Sequence, residues 1–306
     1  MRTIDWKRWS PRLGYAAFAL LAFVLGLRWT FPSDAVKQRL ILEAAARGWQ
    51  IDAQRVGPGG VLGLTVEGLR LQDASGLTVP VEELTASLRL LPLLAGRRSV
   101  AFDADLYEGT VSGTADLSGE ARAVKLVVDG VDLGLVLPLR KALGVDVLGL
   151  LDGTVDVVLP AAADGKPTGQ VDLSVREAGI AGGQVPIPGM TGGLALPRTS
   201  LGAIAAAVKL DQGRATFEKL EAKGGDAELS TQGLYVVLQP RLAAAPLFGR
   251  AKVRALDAFW AKPQTQPLRS IAEAALATSR GRDGAWNFQV AGSVGRPSLR
   301  PAPPGE

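Results

Sequence analysis

Asp103 and Asp105, two residues apart, could form a pair of carboxylates, and so could Glu82 and Glu83. Paired acids can exchange a proton as general acid and base, or hold a divalent cation. The neighbouring residues argue for something plainer. Val100, Phe102, Ala104 and Leu106 alternate with Asp103, Asp105 and Tyr107, the period of a strand with one apolar and one wet face. Carboxylates on the wet face sit in solvent, where charges ordinarily lie. Asp52, Asp129 and Asp132 fare no better as site residues. Arg97-Arg98 reads as a solvated turn, with contact to a phosphate or a lipid headgroup as the second reading. Gly57-Pro58-Gly59-Gly60 lacks the Lys-Ser/Thr and the helix start that a phosphate loop requires.

Two absences narrow the chemistry further. The 306 residues include no histidine, which removes the commonest general base, the commonest transition-metal ligand and every Ser-His triad. They include no cysteine, which removes thiol catalysis, thiolate metal sites and disulfides. The net charge of +4 is small, and no basic stripe with interleaved aromatics suggests nucleic acid as a partner. The expectation is a protein that is not an enzyme and has no catalytic residue, metal or cofactor.

The elements that would position any site begin with an apolar run, Leu13 to Phe31. From Trp9 to Trp29 a helix would cover roughly 30 Å, the thickness of a bilayer's hydrocarbon core. Trp9, Leu20, Leu21, Phe23, Leu27 and Trp29 would form this membrane anchor, with the tryptophans at the two interfaces. A cleavable signal peptide is the alternative, but no small-x-small site follows Leu27. Arg2, Lys7, Arg8 and Arg12 against the single Asp5 place residues 1–12 in the cytoplasm and export the remainder.

Ser33 to Arg47 reads as a helix stopped by Gly48 and closing one end of a sheet. From Trp49 the apolar period changes to two, with glycines at the turns. Leu88, Phe102, Leu106, Val111, Leu126, Val157, Leu173 and Phe217 are expected on the apolar sheet face. A short helical piece is expected near Leu135 to Leu143, a strand pair over Arg241 to Trp260, a helix over Ser270 to Ser279 and a strand over Trp286 to Val294. The fold class is therefore mainly β: one anchor helix, a capping helix, and an elongated, curved antiparallel sheet built from hairpins. Residues 32–295 form the exported β domain with a subdivision near 182–193, and the Pro-rich tail 296–306 is expected to be disordered.

This order of pieces resembles the membrane-tethered β proteins related to AsmA, and within them the type II secretion system protein N family. The residues that carry the likeness are Leu84 to Leu117, Gly149-Leu150-Leu151-Asp152-Gly153-Thr154 with its following hairpin, Gly213-Arg214-Ala215-Thr216-Phe217 through Gly224 to Leu229, and Val290 to Pro297. The resemblance implies a protein of a Gram-negative inner membrane, accessory to the machine that secretes folded periplasmic proteins. Its partners would be other type II secretion subunits, met through strand edges. An envelope protein that shields or transfers phospholipid in an apolar groove is the alternative the resemblance leaves open.

Overall fold

The computed structural model describes residues 26, 30–46, 48–60, 62–72, 78–119, 121–137, 139–140, 145–160, 165–185, 194–239 and 241–304. The expected anchor residues and the basic residues before them lie outside that set. At its edge, Gly26 is helical, and Thr30 donates to the Gly26 carbonyl from its backbone N–H at 3.0 Å and its hydroxyl at 2.7 Å. Among the described residues no helix is long and apolar enough to cross a membrane.

The chain is mainly β, 61% strand, and divides into two compact units at Leu88/Arg89. In the first, helix α1 (Ser33–Ala45) carries Asp34 in its first turn and ends where Gly48 takes φ 81° and Trp49 donates to the Ala44 carbonyl. It lies on β1 (Gln50–Asp52) and β2 (Arg55–Pro58), which both pair with β3 (Gly63–Gln72). β3 then pairs antiparallel with β4 (Thr78–Leu88). Lys37 of α1 donates to the Ala53 carbonyl, between β1 and β2.

The second unit opens with a five-residue helix, α2 (Leu90–Leu94). Pro92 fits the first helical turn, where no N–H is required. Gly96, at φ 75°, ends the helix by donating to the Leu93 carbonyl at 3.0 Å while Arg97 donates to that of Pro92 at 2.8 Å. That crossed pair is a Schellman motif, which fixes the knob firmly.

The strands that follow pair antiparallel with their sequence neighbours: β5 (Ser99–Leu106), β6 (Gly109–Asp116), β7 (Ala121–Asp132), β8 (Val145–Pro160) and β9 (Thr168–Val185). β10 (Leu194–Leu196) pairs back on β9, and β11 (Thr199–Asp211) takes its place on the main path. β12 (Arg214–Lys223), β13 (Ala227–Val237), β14 (Leu247–Ala255), β15 (Trp286–Ser293) and β16 (Arg296–Pro301) complete the path. The β5–β6 turn is centred on Tyr107-Glu108, with φ of 51° and 61°. Non-glycine residues rarely hold two such angles in succession; here the Tyr107 ring is buried.

Several sequence expectations are corrected. The tail is not disordered at its start, since Arg296–Pro301 forms β16 with Pro301 opposite Phe288 and Arg296 opposite Ser293. The stretch from Arg241 to Trp260 is not a strand pair: a 3-10 turn at Leu242–Ala244, the single strand β14 and helix α3 (Asp257–Trp260) occupy it. Helix α4 spans Gln266–Ala275, four residues earlier than the alanine pattern suggests, because Pro267 starts it. The helical piece expected near 135–143 is present where described, at residues 137, 139 and 140, and a 3-10 turn at Leu133–Leu135 precedes it. The chain divides at Leu88/Arg89; most of the stretch near 182–193, where a subdivision is expected, lies outside the described residues.

Candidate functional site

Residues opposite one another in an antiparallel pair share a face, so the register traces the surface. One row runs Phe102–Gly113–Leu126–Val155–Val171–Val208–Phe217. Beside it runs Ala104–Val111–Val128–Gly153–Leu173–Ala206–Leu220, and on the other flank Val100–Ala115–Val124–Val157–Gly169–Leu210–Ala215. None of these positions is polar. Phe102, Val111, Leu126, Val157, Leu173 and Phe217 thus stand together, with Leu106 continuing the parity of Phe102 and Ala104 on β5. Leu88 belongs to the first unit, follows the parity of Leu84 and Ala86, and is exposed.

The last stretch of the rows depends on a bulge that alternation alone does not reveal. Phe217 and Leu220 differ in parity and should point to opposite faces. The register slips between Ala207 and Val208, so Ala207 meets Lys219 while Val208 meets Phe217. The bulge turns both apolar side chains to one face.

Rows of seven strands, spaced about 4.8 Å apart, make this patch roughly 29 Å wide and about 14 Å deep. Over β5–β9 most of its side chains, Phe102, Val111, Leu126, Val155 and Leu173 among them, are half-buried. Its relief is low. A Cβ added at Gly113 would lie 2.9 Å from both Phe102 Cζ and Leu126 Cδ2, and one at Gly153 would lie 2.6 Å from Leu173 Cδ2. The large side chains fold down into the glycine positions.

The opposite face is wet. Lys125 Nζ reaches Asp156 at 2.6 Å, Arg176 grips Asp152 through Nε at 2.6 Å and Nη2 at 2.9 Å, and Lys219 and Lys223 both reach Glu221 at 2.7 Å. The Arg176 hydrogen bond, with a backbone N–H from Gly130, holds the Asp152 carboxyl below the usual carboxylate range. Asp103 and Asp105 are exposed on this face. Among the described residues no cluster of three acids could hold a metal ion.

At the far end the apolar face is covered. Ala215, Val236 and Ala245 form one buried cluster, and Leu234, Ala251 and Val290 another. Trp286, 8% exposed, meets Trp260 of α3 edge-on at 6.1 Å between ring centroids. Lys262 ties this helical segment to the β12–β13 turn through Asp226 and donates to the Arg198 carbonyl at 2.7 Å. Burial raises the Asp226 carboxyl, but the Lys262 ammonium and the Ser200 N–H outweigh it, and the net shift is downward. None of this cover is legible as apolar alternation.

The first unit carries an apolar cavity of its own. About 160 Å³ lies between α1 and the sheet, lined by Leu40, Ile41, Val56, Val66, Leu69 and Leu84, with Lys37 as the one charged lining residue. A dry cavity of that size takes an apolar guest as large as benzene. No protein-family model matches this chain, and no curated protein or solved structure matches it.

Proposed function

We propose that this is a non-enzymatic envelope protein, held at the inner membrane, that shields phospholipid acyl chains on the apolar face of its second unit. The observation that supports this most is the three-row patch, uninterrupted by any polar residue across seven strands. Soluble monomers rarely leave apolar patches beyond a few hundred Å² in water. One acyl chain occupies half of a hydrocarbon core about 30 Å thick, so the open part of a row, roughly 19 Å across β5–β9, is ample for it.

The resemblance to type II secretion proteins suggests a second role, as an accessory subunit meeting its partners at strand edges. The terminal strand β16 is poorly suited to that contact: Pro297 and Pro301 lack N–H donors, and Arg296 and Arg300 bring charge to the edge. Subunit contacts in that role would use other surfaces.

The test is a photoreactive benzophenone residue placed at Phe102 or, on the opposite face, at the exposed Val127, in the full chain in its native membrane. Lipid shielding predicts a phospholipid adduct from position 102 and none from position 127. Adducts with secretion subunits alone would favour the accessory role. Equal lipid adducts at both positions would overturn the assignment of the apolar face.

A further inference from the structure

The apolar face of the second unit does not stop at its three rows. A fourth, Val131–Leu151–Val175–Ile204–Ala222–Leu229, continues it toward one end of the strands and runs on through Val253 to Trp286. One step further, Ala178 stands opposite Gly202. There the floor meets a cleft of about 720 Å³, whose apolar lining includes Leu148, Ala178 and Gly202. Trp260 packs on Trp286 of the fourth row, so the segment that carries Lys262 stands on this same side, and Lys262 lines the cleft.

The charges of the cleft are of both signs. Asp226 and Lys262 satisfy each other, and the Arg198 carbonyl holds Lys262 further at 2.7 Å. Two charged lining residues remain, Arg198 and Glu177, both exposed and neither in an ion pair among the described residues. Glu177 does not reach the cleft by alternation. It takes φ 53°, uncommon for a residue other than glycine, and the register slips beside it, between Leu148 and Leu150 on β8 and between Gly202 and Ile204 on β11. Bulges re-aim side chains, and here one brings a carboxylate to the edge of an apolar floor.

We propose that this cleft takes the zwitterionic phosphoethanolamine head of a phospholipid whose acyl chains lie on the apolar face, an inference that rests on the lipid-shielding reading of that face. The Arg198 guanidinium meets the phosphate, for which its planar fork of N–H donors is suited. The Glu177 carboxylate meets the ammonium. With Asp226 and Lys262 already paired, one cation and one anion are left over, the complement of a head that carries one of each. A head without an ammonium, such as phosphoglycerol, would leave Glu177 facing a phosphate with no cation between them. The floor of Leu148, Ala178 and Gly202 is continuous with the fourth row, so the tails leave the cleft onto apolar surface and not into water.

The test uses the full chain in vesicles of equal parts phosphatidylethanolamine and phosphatidylglycerol, with a benzophenone residue at Leu173 and the lipid adducts identified by mass spectrometry. Phosphatidylethanolamine adducts should outnumber phosphatidylglycerol adducts about fivefold, the ratio set by one exposed charge contact of about 1 kcal/mol. Glu177→Gln should bring that ratio to about one while keeping the total yield. Arg198→Gln should lower the yield of both lipids, and Arg198→Lys should restore part of it. An unchanged urea midpoint in these variants separates loss of a contact from loss of the fold. Lipid adducts in equal amounts in the parent protein, or a ratio that Glu177→Gln leaves unmoved, would overturn the headgroup site while the reading of the apolar face stands. No lipid adduct at position 173 would overturn both. Saturable binding of dissolved glycerophosphoethanolamine without any lipid adduct would name a soluble phosphodiester as the ligand and likewise overturn the proposal.

Discussion

Strands β5–β9 and strands β12–β15 carry the same alternation, yet one stretch leaves its apolar side half-exposed and the other closes it. Val111, Leu126 and Leu173 have their sheet neighbours beside them. Val236 also has Ala245 of the β13–β14 connection packed on it, and Trp286 has Trp260 of α3. The difference lies in the connections. β5–β6 and β6–β7 are joined by tight turns, whereas β14 and β15 are separated by thirty residues, 256–285, which include helix α3 and its Trp260. Stability should therefore concentrate at the closed end, leaving the other free to bind.

Mutations at the two ends would sharpen or break that contrast. Trp286→Ala should have the largest effect, a loss of about 3–5 kcal/mol in urea denaturation of the full chain, as for a buried aromatic in a packed core. Phe102→Ala should cost less, about 1–2 kcal/mol, because its half-buried ring gains only part of the transfer energy. Equal losses at the two sites would mean that β5–β9 is as well covered as β12–β15.

Asp226→Asn tests the tie at the closed end through pH. The Asp226 carboxyl is depressed in the folded state, so the unfolded chain binds its proton first as pH falls. The stabilisation is complete above the ordinary carboxylate pKa of about 4 and fades as pH drops through the lower folded value. Asp226→Asn should flatten that part of the acid unfolding curve, and an unchanged curve would remove Asp226 from the account. The smallest change is expected for Lys125→Ala on the wet face, within about 0–1 kcal/mol, since both partners of its 2.6 Å pair with Asp156 are exposed.

The apolar face was legible in the sequence because register and parity are linked: once each hairpin pairs in step, Phe102, Leu126 and Leu173 fall on one side. Phe217 and Leu220 could not both be placed that way, because the bulge at Ala207/Val208 leaves no mark in composition. α2 was missed because five apolar residues make too little helix to show a period. β16 was missed because its prolines, which suit a terminal edge, also suit a loose tail. Nothing in alternation shows Trp260 reaching Trp286, a contact made by a connection and not by a strand.

The folding of Phe102, Leu126 and Leu173 into the spaces left by Gly113 and Gly153 has one more consequence. A floor so nearly level offers no notch to measure the length of a hydrocarbon tail or to feel a double bond. Discrimination among guests would have to come from whatever meets their polar ends, and tails of many kinds could slide across the strands with little to stop them.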